Sequence, residues 1–126
     1  MSTVAAKVLI LDGSDGPELP LVEGAGAARA IVWPGMGAKA RSLHHIWLAP
    51  DARTVPQRHS GEAVYYVVNG DGIVFDSTAD ERQPLREGGM FHIDGGTEYV
   101  VEAGERGIEL VGGPAPADPA LYEGMD

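Results

Sequence analysis

The chain's capacity for proton or metal chemistry rests on four histidines, four tyrosines and nineteen acids, with no cysteine to add a thiolate. Imidazole titrates near neutral pH, so a histidine beside a carboxylate can carry a proton or ligate a divalent cation. The absence of cysteine excludes a disulfide scaffold, an iron–sulfur cluster and a thiolate zinc site. The densest group of reactive types is Gln57, His59, Glu62 and Tyr65, with Tyr99 further along. In an extended strand alternate side chains share a face, which puts Ala63 and Tyr65 together and Glu62 on the opposite side. Gly61 offers a place where a bulge would turn Glu62 around. His44 and His45 are adjacent, so at most one of them faces an interior. His92, inside Phe-His-Ile, alternates with apolar neighbours and reads as outward. There is no Gly-x-Ser-x-Gly elbow, phosphate-binding glycine loop or dinucleotide fingerprint, which disfavours serine nucleophiles and nucleotide hydrolysis.

The elements that must hold these residues are short apolar runs: Lys7–Leu11, Arg29–Trp33, Ser42–Ala49, Ala63–Val68, Gly72–Asp76, Met90–Ile93, Tyr99–Glu102 and Gly107–Val111. Each is bounded by turn-formers such as Asp12-Gly13, Pro34-Gly35 and Asp94-Gly95-Gly96, and Asn69-Gly70 predicts a hairpin. This pattern predicts an all-β antiparallel sandwich or barrel. The 18 glycines and 9 prolines argue against a helical bundle. Only the C-terminus predicts a helical turn, with Asp118 as cap and Pro119 at the first position. A length of 126 residues fits one domain. Within it the sequence divides into an N-terminal strand and loop arm (1–28), a barrel core (29–113) and a C-terminal tail (114–126).

A formal charge of −10 makes nucleic acid and anionic membrane surfaces poor partners. No apolar run is long enough to cross a bilayer. Met1 to Leu11 lacks the basic flank and cleavage site of a signal peptide, so the cytoplasm is the expected location.

The stretch Gln57-Arg58-His59-Ser60-Gly61-Glu62-Ala63-Val64-Tyr65-Tyr66-Val67-Val68-Asn69-Gly70-Asp71-Gly72 resembles the first motif of the cupin superfamily. That motif has two histidines one residue apart, a glutamate shortly after, a tyrosine-valine-leucine strand and a closing glycine turn. Gly88-Gly89-Met90-Phe91-His92-Ile93-Asp94-Gly95-Gly96-Thr97-Glu98-Tyr99 resembles the second motif: a glycine, an apolar strand, a proline and glycine turn, then a histidine. Leu48-Ala49-Pro50-Asp51-Ala52 matches the family's usual proline turn. The resemblance spans residues 40–105 and implies a single-domain cupin-type antiparallel β-barrel, or jelly roll. In the family the two histidines, the glutamate and the later histidine hold a divalent metal. Carried over by position, they fall on Gln57, His59, Ala63 and Tyr99, of which only His59 keeps its type. No tightly bound metal is therefore expected. If a divalent metal binds, the ligands expected are His59, Gln57, Glu62 and His44, with Tyr99 as a phenolate the alternative to Glu62.

If Gln57 and His59 face inward as the family's pair does, so do Ala63, Tyr65, Val67, Asn69, Tyr99 and Val101. Val64, Tyr66 and Val68 then form an apolar outer stripe that needs cover. Cupins commonly dimerise through a sheet face, which implies a homodimer. The expected site is an apolar pocket for a small molecule. His59 and Tyr99 are its catalytic residues, and Gln57, Tyr65, His44 and Trp47 its substrate contacts. A place in the core or an interface is the alternative for Trp47, as for Trp33. Arg41 and Arg58 are alternative anchors for an acidic substrate at the mouth. Some cupins, sugar epimerases among them, do proton chemistry without a metal. The resemblance thus implies an acid–base enzyme of isomerase, cyclase, dehydratase or lyase type. The alternatives are a non-catalytic ligand-binding or accessory protein, and a metal-dependent cupin with unusual ligands.

Overall fold

The computed structural model describes residues 7–125. Nine strands dominate: β1 (Glu18–Leu19), β2 (Val22–Glu23), β3 (Gly26–Val32), β4 (Leu43–Leu48), β5 (Arg53–Thr54), β6 (Glu62–Asp76), β7 (Glu81–Arg86), β8 (Met90–Ile93) and β9 (Tyr99–Ala115). They pair antiparallel in the order β1-β3-β4-β9-β5-β2, with β6 joined to β9 and to both β7 and β8, which curls the sheet into a jelly-roll barrel. The only helical pieces among the described residues are two single 3₁₀ turns, Pro34–Met36 and Pro119–Tyr122. In the second, the Asp118 carboxylate accepts from the Ala120 N–H at 3.0 Å, the cap the sequence predicts. No helix here is long and apolar enough to cross a membrane.

Two long strands replace four short ones. Asn69-Gly70 does not reverse the chain: β6 runs through it for 15 residues. Val67 pairs with Leu110 and Asn69 with Glu109, so Val68 is one residue extra on β6 and forms a bulge. Gly70 follows at φ +85°, and a Cβ there would lie 2.1 Å from the Gly107 carbonyl oxygen. The Asn-Gly pair thus serves close contact at a barrel corner rather than a turn. The hairpin comes later, at residues 77–80, where the Asp76 carboxylate accepts from the Ala79 N–H at 3.0 Å. The bulge also switches which alternate residues face inward. Ala63, Tyr65 and Val67 are buried as expected, but Asn69 is exposed and Gly70 takes the buried place. β9 likewise joins Tyr99–Glu102 to Gly107–Val111 in one strand of 17 residues.

Other departures follow from what each segment can bury. β7 reads Glu-Arg-Gln-Pro-Leu-Arg and carries too few apolar residues to show alternation; it pairs only with β6, and an edge strand tolerates Pro84. Lys7–Leu11 forms no strand, and Val8 and Ile10 are exposed. Residues 18–19 and 22–23 pair into the sheet rather than lying in a loop. The core fills from inward positions of both sheet faces, including Ile46, Leu48, Val67, Val101, Ile108 and Leu110. Five polar residues are buried with it: Ser42, His44, Thr54, Gln57 and His59.

Candidate active site

Three strands, the segment 57–59 and the C-terminal 3₁₀ turn deliver polar side chains to one place inside the barrel. β4 contributes His44, paired opposite Gly112 on β9, and its Nδ1 lies 3.4 Å from where a Cβ at neighbouring Gly113 would sit. Gln57 forms an isolated bridge with Tyr99, exchanging two backbone hydrogen bonds of 2.9 Å, so the two side chains share a face. His59 is held by its carbonyl, which accepts from the Gly96 N–H at 2.7 Å. β6 supplies Tyr65. The C-terminal 3₁₀ turn closes the group with Asp118 and Tyr122, and Tyr122 packs on Trp33 with ring centroids 5.2 Å apart.

A continuous hydrogen-bonded chain results. The Asp118 carboxylate is 2.8 Å from His59 Nδ1, His59 Nε2 is 3.0 Å from the Tyr99 hydroxyl, and that hydroxyl is 2.9 Å from the Tyr65 hydroxyl. A carboxylate only accepts, so His59 Nδ1 carries the hydrogen and, in the neutral ring, Nε2 accepts from Tyr99. Tyr99 in turn accepts from Tyr65. Burial pushes the Tyr99 phenol far above its ordinary value and raises Tyr65 to about 12, opposed there by the hydrogen bond to Tyr99. Both hydroxyls therefore stay protonated at neutral pH. His44 Nε2 lies 2.6 Å from the Tyr122 hydroxyl. Desolvation, then the nearby His59, lowers His44 to about 4, so it is neutral at neutral pH.

Three buried atoms in this group lack partners: His44 Nδ1 and both amide atoms of Gln57. A buried polar group left unpaired costs about 1–3 kcal/mol, so native interiors meet one with a protein group, an ordered water or a ligand.

The structure thus brings together Gln57, His59, Tyr65, Tyr99 and His44. It separates two other expected residues. Trp47 is on the outer face, 48% exposed, because on β4 it lies an odd number of residues from inward His44. Glu62 is exposed beside His92 at 3.4 Å, because no bulge at Gly61 reverses the alternation and Ala63 takes the inward place. Arg41 and Arg58 are exposed, and His45 turns outward to Glu109 at 2.6 Å. Asp118 and Tyr122 are the residues sequence reasoning missed. Asp118 was legible as a cap, but one of its oxygens caps while the other holds His59, a pairing across 59 residues that local spacing does not show. A cleft of about 1030 Å³ opens elsewhere, among Glu23, Asp51, Arg53, Asp71, Glu102 and Glu105.

No family model matches the sequence, and no curated protein matches it. Solved structures do. A predicted oxalate decarboxylase from Thermotoga maritima superposes with a TM-score of 0.67 at 20% identity, covering 82% of this chain and 96% of that one. A cupin-like protein from the same organism gives 0.67 at 16% identity, covering 94% and 99%. An RmlC-like cupin from Shewanella frigidimarina gives 0.67 at 18%, covering 84% and 88%. The fold is that of a cupin.

Cupins are known for a metal inside the barrel, and the residues here do not fit one. Of the four family positions, Ala63 has no donor, Gln57 offers only an amide oxygen, Tyr99 is a phenol, and His59 alone supplies an imidazole, its Nε2 now shared with the Tyr99 hydroxyl. With His44 Nδ1 added, the set is two imidazoles and one amide oxygen with no carboxylate at the family positions, poorer than the three or four imidazole or carboxylate donors that a divalent transition metal usually takes from a protein. Outside this cupin barrel, Glu62, His92 and Asp94 place one ligand atom each within 4.8 Å of one another, all exposed, and could hold a cation.

Proposed function

We propose that this protein is a small-molecule enzyme that works by acid–base chemistry inside the cupin barrel, of isomerase, cyclase, dehydratase or lyase type. The observation that supports it is the chain Asp118–His59–Tyr99–Tyr65. Asp118 fixes the tautomer that leaves His59 Nε2 basic, and it stabilises the ring once protonated. Once protonated, His59 returns the proton to the substrate, while Tyr99, kept neutral by burial, donates a hydrogen bond and Tyr65 donates to Tyr99 behind it. Substrate takes Tyr99's place at Nε2 when the base acts. The two unpartnered groups, Gln57 and His44, orient substrate oxygen.

A non-catalytic ligand-binding protein is the second reading, favoured by the fact that both nitrogens of His59 are already engaged in a buried network. The same proposal includes a homodimer. Val64, Tyr66, Val68 and Met90 stay 41%, 43%, 39% and 67% exposed on one outer face of β6 and β8, and a second copy would cover them.

The test is deuterium exchange. The protein is incubated in D₂O with hydroxyketones, lactones and keto sugars, and loss of the α-proton signal is followed by NMR. Protein-dependent exchange is expected, falling about 10²–10⁴-fold in His59→Asn. Asp118→Asn is expected to lower it as well. Undiminished exchange in His59→Asn removes His59 as the base. Binding of these compounds without exchange establishes the second reading.

A further inference from the structure

The interior's polar groups restrict the chemistry of what can bind there. All nine lysines and arginines lie among the described residues, and none is buried; eight are exposed, and Arg29 is half-buried in a contact with the Gly16 carbonyl at 3.0 Å. His44 is neutral at neutral pH. Any charge that His59 takes up is already matched by Asp118 at 2.8 Å. An anionic substrate entering the barrel would thus lose its hydration with no unmatched cation to replace it.

Gln57 is only 5% exposed, and its amide nitrogen and oxygen are both without a partner. Its backbone is fixed by the two hydrogen bonds to Tyr99, which keep the side chain on the Tyr99 face. A carboxamide in this state presents one acceptor and two donor hydrogens in a plane. Its best complement is a group with an acceptor and a donor on neighbouring positions, which can close two hydrogen bonds at once.

We propose that the barrel binds an uncharged polar molecule in which a carbonyl oxygen sits beside an N–H or O–H, as in a lactam or a hydroxycarbonyl compound, and that Gln57 reads that pair. This rests on the reading of the interior as a ligand site. Gln57 selects substrate, while His59 moves the proton. A carboxylate of similar size is rejected.

The experiment uses three six-membered-ring probes: δ-valerolactam, which carries both groups; cyclohexanone, which has the acceptor alone; and benzoate, an anion. Binding is followed by NMR on the Gln57 side-chain amide and the His44 ring protons. Saturable shifts with the lactam are expected, with weaker ones for cyclohexanone and none for benzoate. Gln57→Met keeps the side chain's length and removes only unpartnered polar atoms, so the fold should persist, as the amide spectrum will show. Lactam affinity should fall about ten- to hundredfold in that variant. Benzoate binding as tight as the lactam's overturns the proposal, as does lactam binding that is absent or indifferent to Gln57→Met. His59→Asn separates the two readings. Lactam binding at Gln57 with unchanged exchange in His59→Asn refutes the acid–base role alone. Exchange lost in that variant, with binding indifferent to Gln57, refutes the substrate class alone.

Discussion

At the scale of single residues, burial decides what each side chain can do. Tyr65 and Tyr99 stay protonated because their phenolates would be desolvated, so they serve as donors. His44 follows the same rule with opposite sign, since burial disfavours its cation. In the folded protein it titrates at about 4, against 6.5 in the unfolded chain. Between those values the unfolded chain holds the extra proton, so stability is complete above pH 6.5 and falls as pH drops toward 4, by about 3 kcal/mol at the lower end. Carboxylates titrate in the same window, so the useful comparison is with His44→Gln. Its melting temperature should fall less between pH 6.5 and 4 than the wild type's. Parallel curves for the two proteins would refute the assignment. Gln57, His59 and Tyr99 were legible through the resemblance to the cupin motifs, Tyr65 through strand alternation from His59, and His44 as a conditional further donor. Asp118 and Tyr122 were not, because the polar partners they meet, His59 and His44, are distant in sequence.

At the scale of elements, the corners carry the fold. The bulge at Val68 and the positive φ of Gly70 let β6 cross from one part of the barrel to another while pairing with β9 on both sides of the bend. Asn-Gly was read as a hairpin because both residues tolerate positive φ; only Gly70 uses that tolerance, and for a bend. Gly70→Ala should cost at least about 2 kcal/mol, from the backbone conformation and from the close Gly107 carbonyl. Urea denaturation measures it, and a midpoint equal to wild type would show that the corner does not need glycine. β7 was invisible for a related reason. An edge hairpin that buries only Leu85 leaves no periodic signal.

At the scale of the whole molecule, a charge of −10 opposes association unless an apolar face outweighs it. The Val64, Tyr66, Val68 and Met90 face is where it would do so. Sedimentation velocity should show a dimer for the wild type and a monomer for the Val64→Glu, Tyr66→Glu double variant, in which two buried charges would face each other's copies. A monomeric wild type refutes the dimer.

The sequence alone determined that this is an acidic, all-β chain with the strand and turn spacing of a cupin and only His59 retained in type at the ligand positions. Those are local properties, set by alternation and by glycine and proline punctuation. The tertiary structure decided that strands merge through bulged corners, that Glu62 and Trp47 face out, and that Asp118 completes His59. Each depends on contacts between residues far apart in the chain, and no local pattern encodes them.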